Sequence, residues 1–466
     1  MSTEVQAAPN ASGVTSPVAG LADKLVARLR TTPGQLELAL VSLLAGTALF
    51  WMLAASVFSD LHLAVQTVGR DTVPSIVAAE KMNVALADIN TTFANAILAK
   101  DDDSKPSWRT IAEDSDAVAR ALITASENVT YGKEEEEPIS AIQSNLPSYF
   151  RQLGQARSKL PGDPLPDLRA ASELMQKTII AAGFALDEAN FGHLTATYDR
   201  HRGQQGSELT LLILALGALG ALLIAIQFGL ACRMRRLINV PLLGASLLLM
   251  LVGAYFVYVL VDSNALLRAA KQDSFDSIHA LWRARAVAYD ANAEESLYLL
   301  ERGPLQNRHE QAFVDQAARL LSGPSPRDAV TKAINGQFAE LKGLIGAELN
   351  NITYPGEREA ATEMLRTFVD YLDVDRKIRD LERGGRHAEA FALCVGTAPG
   401  QSDWAFQRFD KALLKVTDIN QQHFDSQIAR AFGNIAWVQS ILALATVAIA
   451  ALAFLALLPR IREYRI

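Results

Sequence analysis

Four long apolar runs constrain this chain more than any other feature of its sequence. They are Leu38–Phe58, Leu209–Cys232, Leu242–Val261 and Ile435–Leu458, and none contains a charged side chain. A helix of about 20 apolar residues spans the hydrocarbon core of a bilayer. Half of the 466 residues are hydrophobic, 20% are charged and only 7% are aromatic. The sequence therefore predicts an all-α membrane protein with four transmembrane helices rather than a soluble globular enzyme.

Basic clusters next to the runs predict the orientation. They comprise Lys24, Arg28 and Arg30 before the first run, Arg233, Arg235 and Arg236 between the second and third, and Arg460, Arg462 and Arg465 after the fourth. If the helices alternate across the bilayer, all three clusters lie on one side, and short basic flanks stay in the cytoplasm. We expect a bacterial inner (cell) membrane protein with both termini in the cytoplasm.

Most of the mass then lies outside the cytoplasm, in residues 59–208 (the first segment) and 262–434 (the second segment). The cytoplasmic parts are a disordered tail, 1–35, a basic loop, 233–241, and a basic stub, 459–466. None of them is large enough for a catalytic domain, and hydrolase, phosphate-loop, zinc-protease and paired-cysteine motifs are absent from the sequence. We expect no enzymatic activity, no cofactor and no metal site. The net charge of −7 argues against nucleic-acid binding.

The two segments resemble each other in sequence. Adding 202 to seven positions of the first segment reaches the same residue in the second, within 28 ungapped positions. These positions are Asp71, Ser75, Ile76, Ala78, Asp88, Asn90 and Leu98. Near the far end, Asp199 corresponds to Asp425 with an offset of 226, so the second copy is longer. The chain is thus predicted to contain two copies of a unit made of a span, an external domain and a span.

Apolar residues recur every three or four positions within each segment, as in amphipathic helices. Breaker residues divide the first segment into helices near 59–100, 107–130, 138–160 and 167–207. In the second segment, breaks occur at Gly303-Pro304, at 323–326, at 354–356 and at Pro399-Gly400, with an extra short helix expected within 383–400. We therefore predict two tandem antiparallel four-helix bundles whose outer helices continue into the spans.

Two sets of residues are candidates for function. Asp88 and Asn90 recur as Asp290 and Asn292, and they are either polar positions at an interface between the bundles or an inherited helix surface. Arg233, Arg235 and Arg236, with Arg460 and Arg462, are either topology signals only or the contact site of a cytoplasmic partner.

Other polar or reactive residues favour structural roles. His193 and His201 share a helix face but lie two turns apart, too far for one metal ion. Cys394 is expected to be a buried small residue, whereas the run Glu134–Glu137 is expected to be a solvated loop before a helix. Asn90-Thr-Thr, Asn128-Val-Thr and Asn351-Ile-Thr match the glycosylation sequon, although nothing else indicates a eukaryotic secretory protein.

The external pattern from Asp71-Thr-Val-Pro-Ser-Ile-Val-Ala-Ala-Glu to Leu86-Ala-Asp-Ile-Asn90 resembles the ligand-binding region of methyl-accepting chemotaxis receptors. The tandem arrangement, with the inner loop Arg233-Met-Arg-Arg-Leu-Ile-Asn-Val-Pro241, is similar to the GlnX-type four-span membrane proteins of actinobacteria. That resemblance implies a relay of amino-acid availability from an external solute-binding protein to a cytoplasmic Ser/Thr protein kinase. A chemoreceptor's HAMP segment and methylated coiled coil are missing from the sequence, so direct control of a chemotaxis kinase is not implied.

Three hypotheses follow. In the first, the chain is a non-enzymatic transmembrane signal relay. In the second, it senses a small molecule directly, with the ligand held between the bundles. In the third, it is a structural or assembly subunit of a membrane complex. In all three the bilayer surrounds the spans, and a homo-oligomer is compatible with each.

Overall fold

The computed structural model describes residues 31–99, 106–160, 162–234 and 239–463. The regular structure of these residues is helical, and their only extended pairing is an isolated bridge between Ser322 and Lys342. The helices of the first half are α1 Thr32–Gln66, α2 Val73–Ala99, α3 Pro106–Glu127, α4 Lys133–Ser158, α5 Leu165–Leu174 and α6 Ala181–Met234. Those of the second half are α7 Val240–Arg268, α8 Asp276–Leu300, α9 Pro304–Leu320, α10 Pro326–Ile334, α11 Gly343–Asn350, α12 Glu357–Arg383, α13 His387–Cys394, α14 Ser402–Ile435 and α15 Val438–Glu463.

Four helical stretches are long and apolar enough to cross a membrane, as the four runs predicted. They are Thr32–Ala99, Leu165–Cys232, Val240–Leu300 and Ser402–Glu463. The last of them is interrupted by a two-residue turn at 436–437, which separates α14 from α15. The other three each contain a single π-helical turn, at Thr67–Thr72, Met175–Ile180 and Ala269–Phe275, which hydropathy did not predict. A π turn inserts one residue into a helix and shifts the side chains that follow onto another face.

The chain divides into two compact units. The first, which we call the membrane unit, contains the described parts of Met1–Asp60, Gln204–Val261 and Asn434–Ile466. Its interior consists mainly of aliphatic residues, with an aromatic contact between Phe58 and Phe256, whose ring centroids lie 5.4 Å apart. Many other large apolar side chains point outward, such as Phe228, which is 70% exposed. Such a continuous apolar exterior is typical of lipid-facing helices.

The second unit, which we call the helical unit, contains Leu61–Gly203 and Asp262–Gly433, so the two segments share one compact body. The most extensive contact between its described helices joins α2 of the first segment to α8 of the second. Aromatic and aliphatic side chains fill its interior, including the fully buried Tyr149, Phe275, Tyr371, Met82 and Leu86.

The helix ends follow the breaker residues. Gly132, Gly303 and Gly356 have positive φ angles of 65°, 62° and 84° and directly precede α4, α9 and α12. The predicted short extra helix is α13, His387–Cys394. One break was not predicted: the chain leaves the helix between Ile334 and Gly343. There Gly336 adopts φ 72°, a conformation that costs glycine little and other residues more.

Candidate functional site: a polar seam between the two segments

The helices α2 and α8 approach each other closely along their lengths. The Thr91 hydroxyl of α2 donates to the Tyr289 carbonyl of α8 at 2.7 Å, and it lies 3.0 Å from the Ala87 carbonyl of its own helix. A short side chain reaches the backbone of a neighbouring helix only when the helices are close. Ala284 and Ala288 on α8, both buried, provide the room. The buried and half-buried polar residues along this contact are called the polar seam below.

Asp88 lies on the seam, half-buried, among charged residues of both segments. Its carboxylate accepts a hydrogen bond from Thr92 at 3.0 Å. Burial and the nearby charge of Asp114 raise the pKa of Asp88 to about 7, although the positive charge of Arg285 opposes that rise. Arg285 itself is bound to Asp410 through two nitrogens, at 2.5 and 2.9 Å. Asp88 therefore titrates near neutral pH beside an ion pair of the second segment.

Asp290, the second-segment counterpart of Asp88, joins the two segments directly. It accepts hydrogen bonds from Gln176 of the first segment, at 3.0 Å, and from Gln316 of α9. Gln176 also donates to Glu294 at 2.6 Å, and His309 lies 2.6 Å from the other oxygen of Glu294. Burial and the charge of Glu294 raise the pKa of Asp290 to about 7.

The paired asparagines lie deeper. Asn90 and Asn292 are both buried, at 1% and 2% exposure. The Asn90 carbonyl oxygen accepts a hydrogen bond from Ser172 at 3.2 Å, whereas its amide nitrogen has no hydrogen-bond partner among the described residues. Asp88 and Asp290 thus face groups of the other segment, whereas Asn90 bonds within its own segment and Asn292 is buried.

A small polar cavity of about 130 Å³ opens beside this part of the seam. Its lining comes from both segments and includes Arg169, Gln176, Glu294, Glu301, Arg308 and His309. Arg169 binds both oxygens of Glu301 at 2.7–2.9 Å, which ties α5 to the residue that follows α8. Ligand pockets usually measure about 300–1,000 Å³, so this cavity has room only for a very small molecule.

Three ionisable side chains, from α2, α6 and α8, also meet in the interior of the helical unit. Glu80 of α2, Asp187 of α6 and His279 of α8 are all buried, and each offers a ligand atom within 4.8 Å of the others. The His279 Nε2 atom lies 2.9 Å from Asp187 Oδ2 and 3.6 Å from Glu80 Oε1. Burial and the charge of Asp187 raise the pKa of Glu80 well above its ordinary value. This cluster is the one group in the described chain with a geometry suited to a metal ion.

Each segment also contains a loop of the same sequence pattern and the same geometry. The loops are Asn128–Tyr131 and Asn351–Tyr354. The tyrosine of the first stacks on His193 with ring centroids 3.8 Å apart, and the tyrosine of the second stacks on His423 at the same distance. These histidines are 230 residues apart, so the correspondence there differs from the offset of 226 predicted from Asp199 and Asp425.

Each loop is held by its own buried glutamate, which accepts hydrogen bonds from the loop backbone. Glu135 accepts the backbone N–H groups of Thr130 and Tyr131 at 2.6 Å, and Glu357 accepts those of the equivalent threonine and tyrosine at 2.6 and 2.8 Å. The prediction that Glu134–Glu137 is a loop is wrong, because all four residues lie in the first turns of α4. Its solvated character holds for Glu134, Glu136 and Glu137, which are exposed, but not for Glu135, which is 3% exposed. Sequence reasoning missed this role because the sequons were considered only as glycosylation sites.

Residues 64–199 match the family model of the actinobacterial sensor domain. This match supports an actinobacterial sensor protein, hence a role in sensing or signalling, and it favours a non-catalytic role. The match does not extend to a GlnX-type relationship. No curated protein and no solved structure matches the chain.

The sensor-domain match covers the first segment's share of the seam, including Asp88, Asn90, Glu80 and Asp187. The buried cluster was not predicted from the sequence, because its three members come from three helices and no local spacing connects them. His193 and His201, expected not to share a metal, lie apart: His193 is 2.7 Å from Glu134 and His201 is 2.9 Å from Asn264.

The structure describes some of the remaining candidate residues, and the others lie outside the described ranges. Cys394 is buried, as predicted. Arg460 pairs with Glu463 at 2.9 Å, and Arg462 is exposed. The described residues do not include Arg235, Arg236, Arg465 and the tail up to residue 30, and Arg233 is described in its backbone alone.

Proposed function

We propose that the chain is a transmembrane signal relay without catalytic activity, in which α2 and α8 move relative to each other when an external signal arrives. The observation that carries the proposal is the polar seam, where the two segments meet through groups that titrate near pH 7. Both protonation states of such groups are populated near pH 7, and we propose that they accompany two arrangements of α2 and α8. Interface helices commonly shift by about 1–2 Å in signalling proteins.

The helices of the seam are suited to carry such a shift. Helix α2 belongs to the uninterrupted stretch Thr32–Ala99, and α8 belongs to Val240–Leu300. Each stretch contains one of the four apolar runs. A displacement at the seam therefore acts on a helix that includes a membrane-spanning run. The proposed topology places the segments outside an inner (cell) membrane, with the termini and the basic loop in the cytoplasm.

The proposal includes an internal duplication, in which the two halves of one chain take the places that two subunits have in a dimer. Several structural pairs support it: the π turns at Thr67–Thr72 and Ala269–Phe275 begin 202 residues apart, and the tyrosine–histidine stacks recur. Asp114 and Gln316, which face Asp88 and Asp290, are also 202 residues apart.

For partners, we propose an external solute-binding protein loaded with an amino acid and a cytoplasmic Ser/Thr protein kinase. The resemblance to GlnX-type proteins suggests both, and the sensor-domain match supports a sensing role. The exposed Arg462 and the neighbouring Arg460 are the described residues proposed to contact the kinase.

The test is affinity purification of the tagged full chain from gently solubilised native membranes, followed by mass spectrometry. The relay predicts recovery of a protein kinase and a solute-binding protein. Reversing the charge of Arg460 and Arg462 to glutamate should release the kinase but not the binding protein. The control is Arg430→Glu, an exposed arginine of α14 in the helical unit, which should retain the kinase. Recovery of only the subunits of a static membrane complex would refute the relay and favour the structural alternative.

The cavity favours a second candidate, direct sensing of a small polar molecule. Its volume of about 130 Å³ and its charged lining suit a very small molecule such as an amino acid. The test is a thermal melt of the purified chain with a panel of amino acids. A shift in melting temperature with one ligand class, abolished by Arg169→Ala, would support direct sensing. No shift with any amino acid would leave the relay as the better proposal.

A further inference from the structure

The cluster of Glu80, Asp187 and His279 has the spacing of a metal site. In a tetrahedral zinc site with bonds of about 2.1 Å, neighbouring ligand atoms lie about 3.4 Å apart. The His279 Nε2 atom is 2.9 Å from Asp187 Oδ2 and 3.6 Å from Glu80 Oε1, distances that bracket this value. We propose that these three side chains bind a divalent transition-metal cation, with Zn²⁺ as the best fit, and thereby join the two segments.

The second observation is that Glu80 is buried against a second carboxyl group, Asp187, with His279 Nε2 no closer than 3.6 Å. The Glu80 side chain is 0% exposed, and neither of its oxygens accepts a hydrogen bond from any described residue. Asn83, one turn further along α2, is also 0% exposed, and both atoms of its amide group lack a hydrogen-bond partner within the described chain. Buried polar groups are nearly always satisfied by a protein group, a water molecule or an ion. A cation at the cluster would satisfy Glu80.

The charge of the cluster suits a divalent ion. Metal ligands bind in their deprotonated forms, so Glu80 and Asp187 would supply two negative charges to the ion, which one divalent cation neutralises. Arg283 lies at the edge of the cluster, with Nε 4.0 Å from Asp187 Oδ2, but its Nη1 atom is 3.3 Å from the exposed Glu188. Its positive charge is therefore shared with a carboxylate outside the cluster, and it lowers the affinity for a cation without filling the site.

The set of ligand atoms selects the type of metal. One imidazole nitrogen with two carboxylates suits Zn²⁺ and related first-row cations. Calcium takes six to eight oxygen ligands, and magnesium keeps several waters in an octahedral shell, so neither suits three buried groups that include an imidazole. The Phe191 ring stacks on His279 with centroids 4.0 Å apart and an interplanar angle of 8°, which fixes the orientation of the imidazole.

The ion would connect three helices and both segments. Glu80 and Asp187 belong to the first segment, on α2 and α6, and His279 belongs to α8 of the second. The ion would hold α2 against α8 at one end of the polar seam. This inference does not rest on the proposed relay, because a structural subunit would be stabilised by the same ion.

The experiment uses the full chain in detergent, purified through a tag without histidine, stripped with a chelator and titrated with Zn²⁺ alone. We expect one Zn²⁺ per chain, measured by elemental mass spectrometry, and a higher melting temperature with Zn²⁺ than with Mg²⁺ or Ca²⁺. Glu80→Gln and His279→Gln should each weaken binding by at least about 100-fold, because loss of a second-shell group alone costs about 10–100-fold. The matched control is His309→Gln, which removes another histidine bound to a buried glutamate, Glu294, and should leave the affinity within about threefold.

Spectroscopy of bound Co²⁺ separates ligation from folding. The wild-type chain should show the intense visible absorption of tetrahedral Co²⁺, and Asp187→Cys, which substitutes one zinc ligand by another, should retain binding and add a thiolate-to-metal band. The proposal is overturned if the stripped wild-type chain takes up no stoichiometric Zn²⁺. It is equally overturned if Glu80→Gln and His279→Gln bind Zn²⁺ as tightly as the His309→Gln control.

Discussion

Replacing Asp88 with asparagine should remove a pH dependence of stability that originates at the polar seam. Asp88 is half-buried between the two segments, and burial together with the charge of Asp114 raises its pKa from 3.8 to about 7. A carboxyl with a raised pKa binds its proton more tightly in the folded chain than in the unfolded one. Its contribution to stability is therefore complete below pH 3.8 and is lost as the pH rises through about 7.

The magnitude follows from the two pKa values. Stability falls by about 1.4 kcal/mol per pH unit between them. Linkage then gives a loss of about 2 kcal/mol from this one group between about pH 5.5 and pH 8.5. The asparagine of the variant does not titrate, and its side-chain oxygen can still accept the hydrogen bond from Thr92. The variant should therefore gain about 2 kcal/mol relative to wild type as the pH rises across this range.

The assay is denaturant or thermal unfolding of the full chain in detergent at the two pH values, followed by tryptophan fluorescence. The control is Asp116→Asn, an exposed carboxylate on α3 two residues from Asp114, which should change stability equally at both pH values. If Asp88→Asn also shifts stability equally at both pH values, Asp88 does not titrate between them. The assignment of a near-neutral group to the seam would then be wrong.

Three further predictions concern the helical unit, two of them its interior and one an exposed helix position. Gly69→Ala should destabilise the fold by about 1–2 kcal/mol, because a β-carbon there would overlap Ile428 Cγ2; the midpoint of denaturant unfolding measures the change. Gly154→Ala should instead stabilise by about 1 kcal/mol in the same assay, since no atom lies within 4 Å of a β-carbon in that helical position. In a Cys232→Ser background, the thiol of Cys394 should react with a maleimide only as fast as the protein unfolds, because its side chain is buried; fast labelling of the native protein would show that this helix opens.

Structural features that depend on residues close together in the sequence, such as apolar runs and helix ends, were predictable. The apolar runs define the membrane-spanning stretches, because a helix must be apolar over its whole circumference to contact lipid. Most helix ends coincide with glycine and proline, as at Gly303-Pro304 before α9. The break between Ile334 and Gly343 was not predicted, because Asn335-Gly336 is its one turn signal and the residues after it, 337–342, are compatible with helix.

Features set by helix packing were predictable only in part. The repetition of Asp88 and Asn90 as Asp290 and Asn292 indicated positions shared by the two copies, but not what faces them. Their partners come from helices far away in the chain, and a π turn such as Met175–Ile180 changes which residues face inward. The burial of Glu80 could not be predicted from the sequence, because an isolated glutamate in a helical pattern usually faces solvent.

The two first helices differ where they meet, and this difference bears on the proposed duplication. In α2 the apolar stripe includes Met82, Leu86 and Ile89, whereas the equivalent positions of α8 are all alanine. A symmetric homodimer must place the same residues on both sides of its interface. Two copies in one chain are free of that requirement, so large side chains on one helix can pack against small ones on the other. The close approach that lets Thr91 reach the Tyr289 carbonyl is compatible with this asymmetry. We therefore expect exchange of the large and small sets between α2 and α8 to preserve packing better than large residues on both helices.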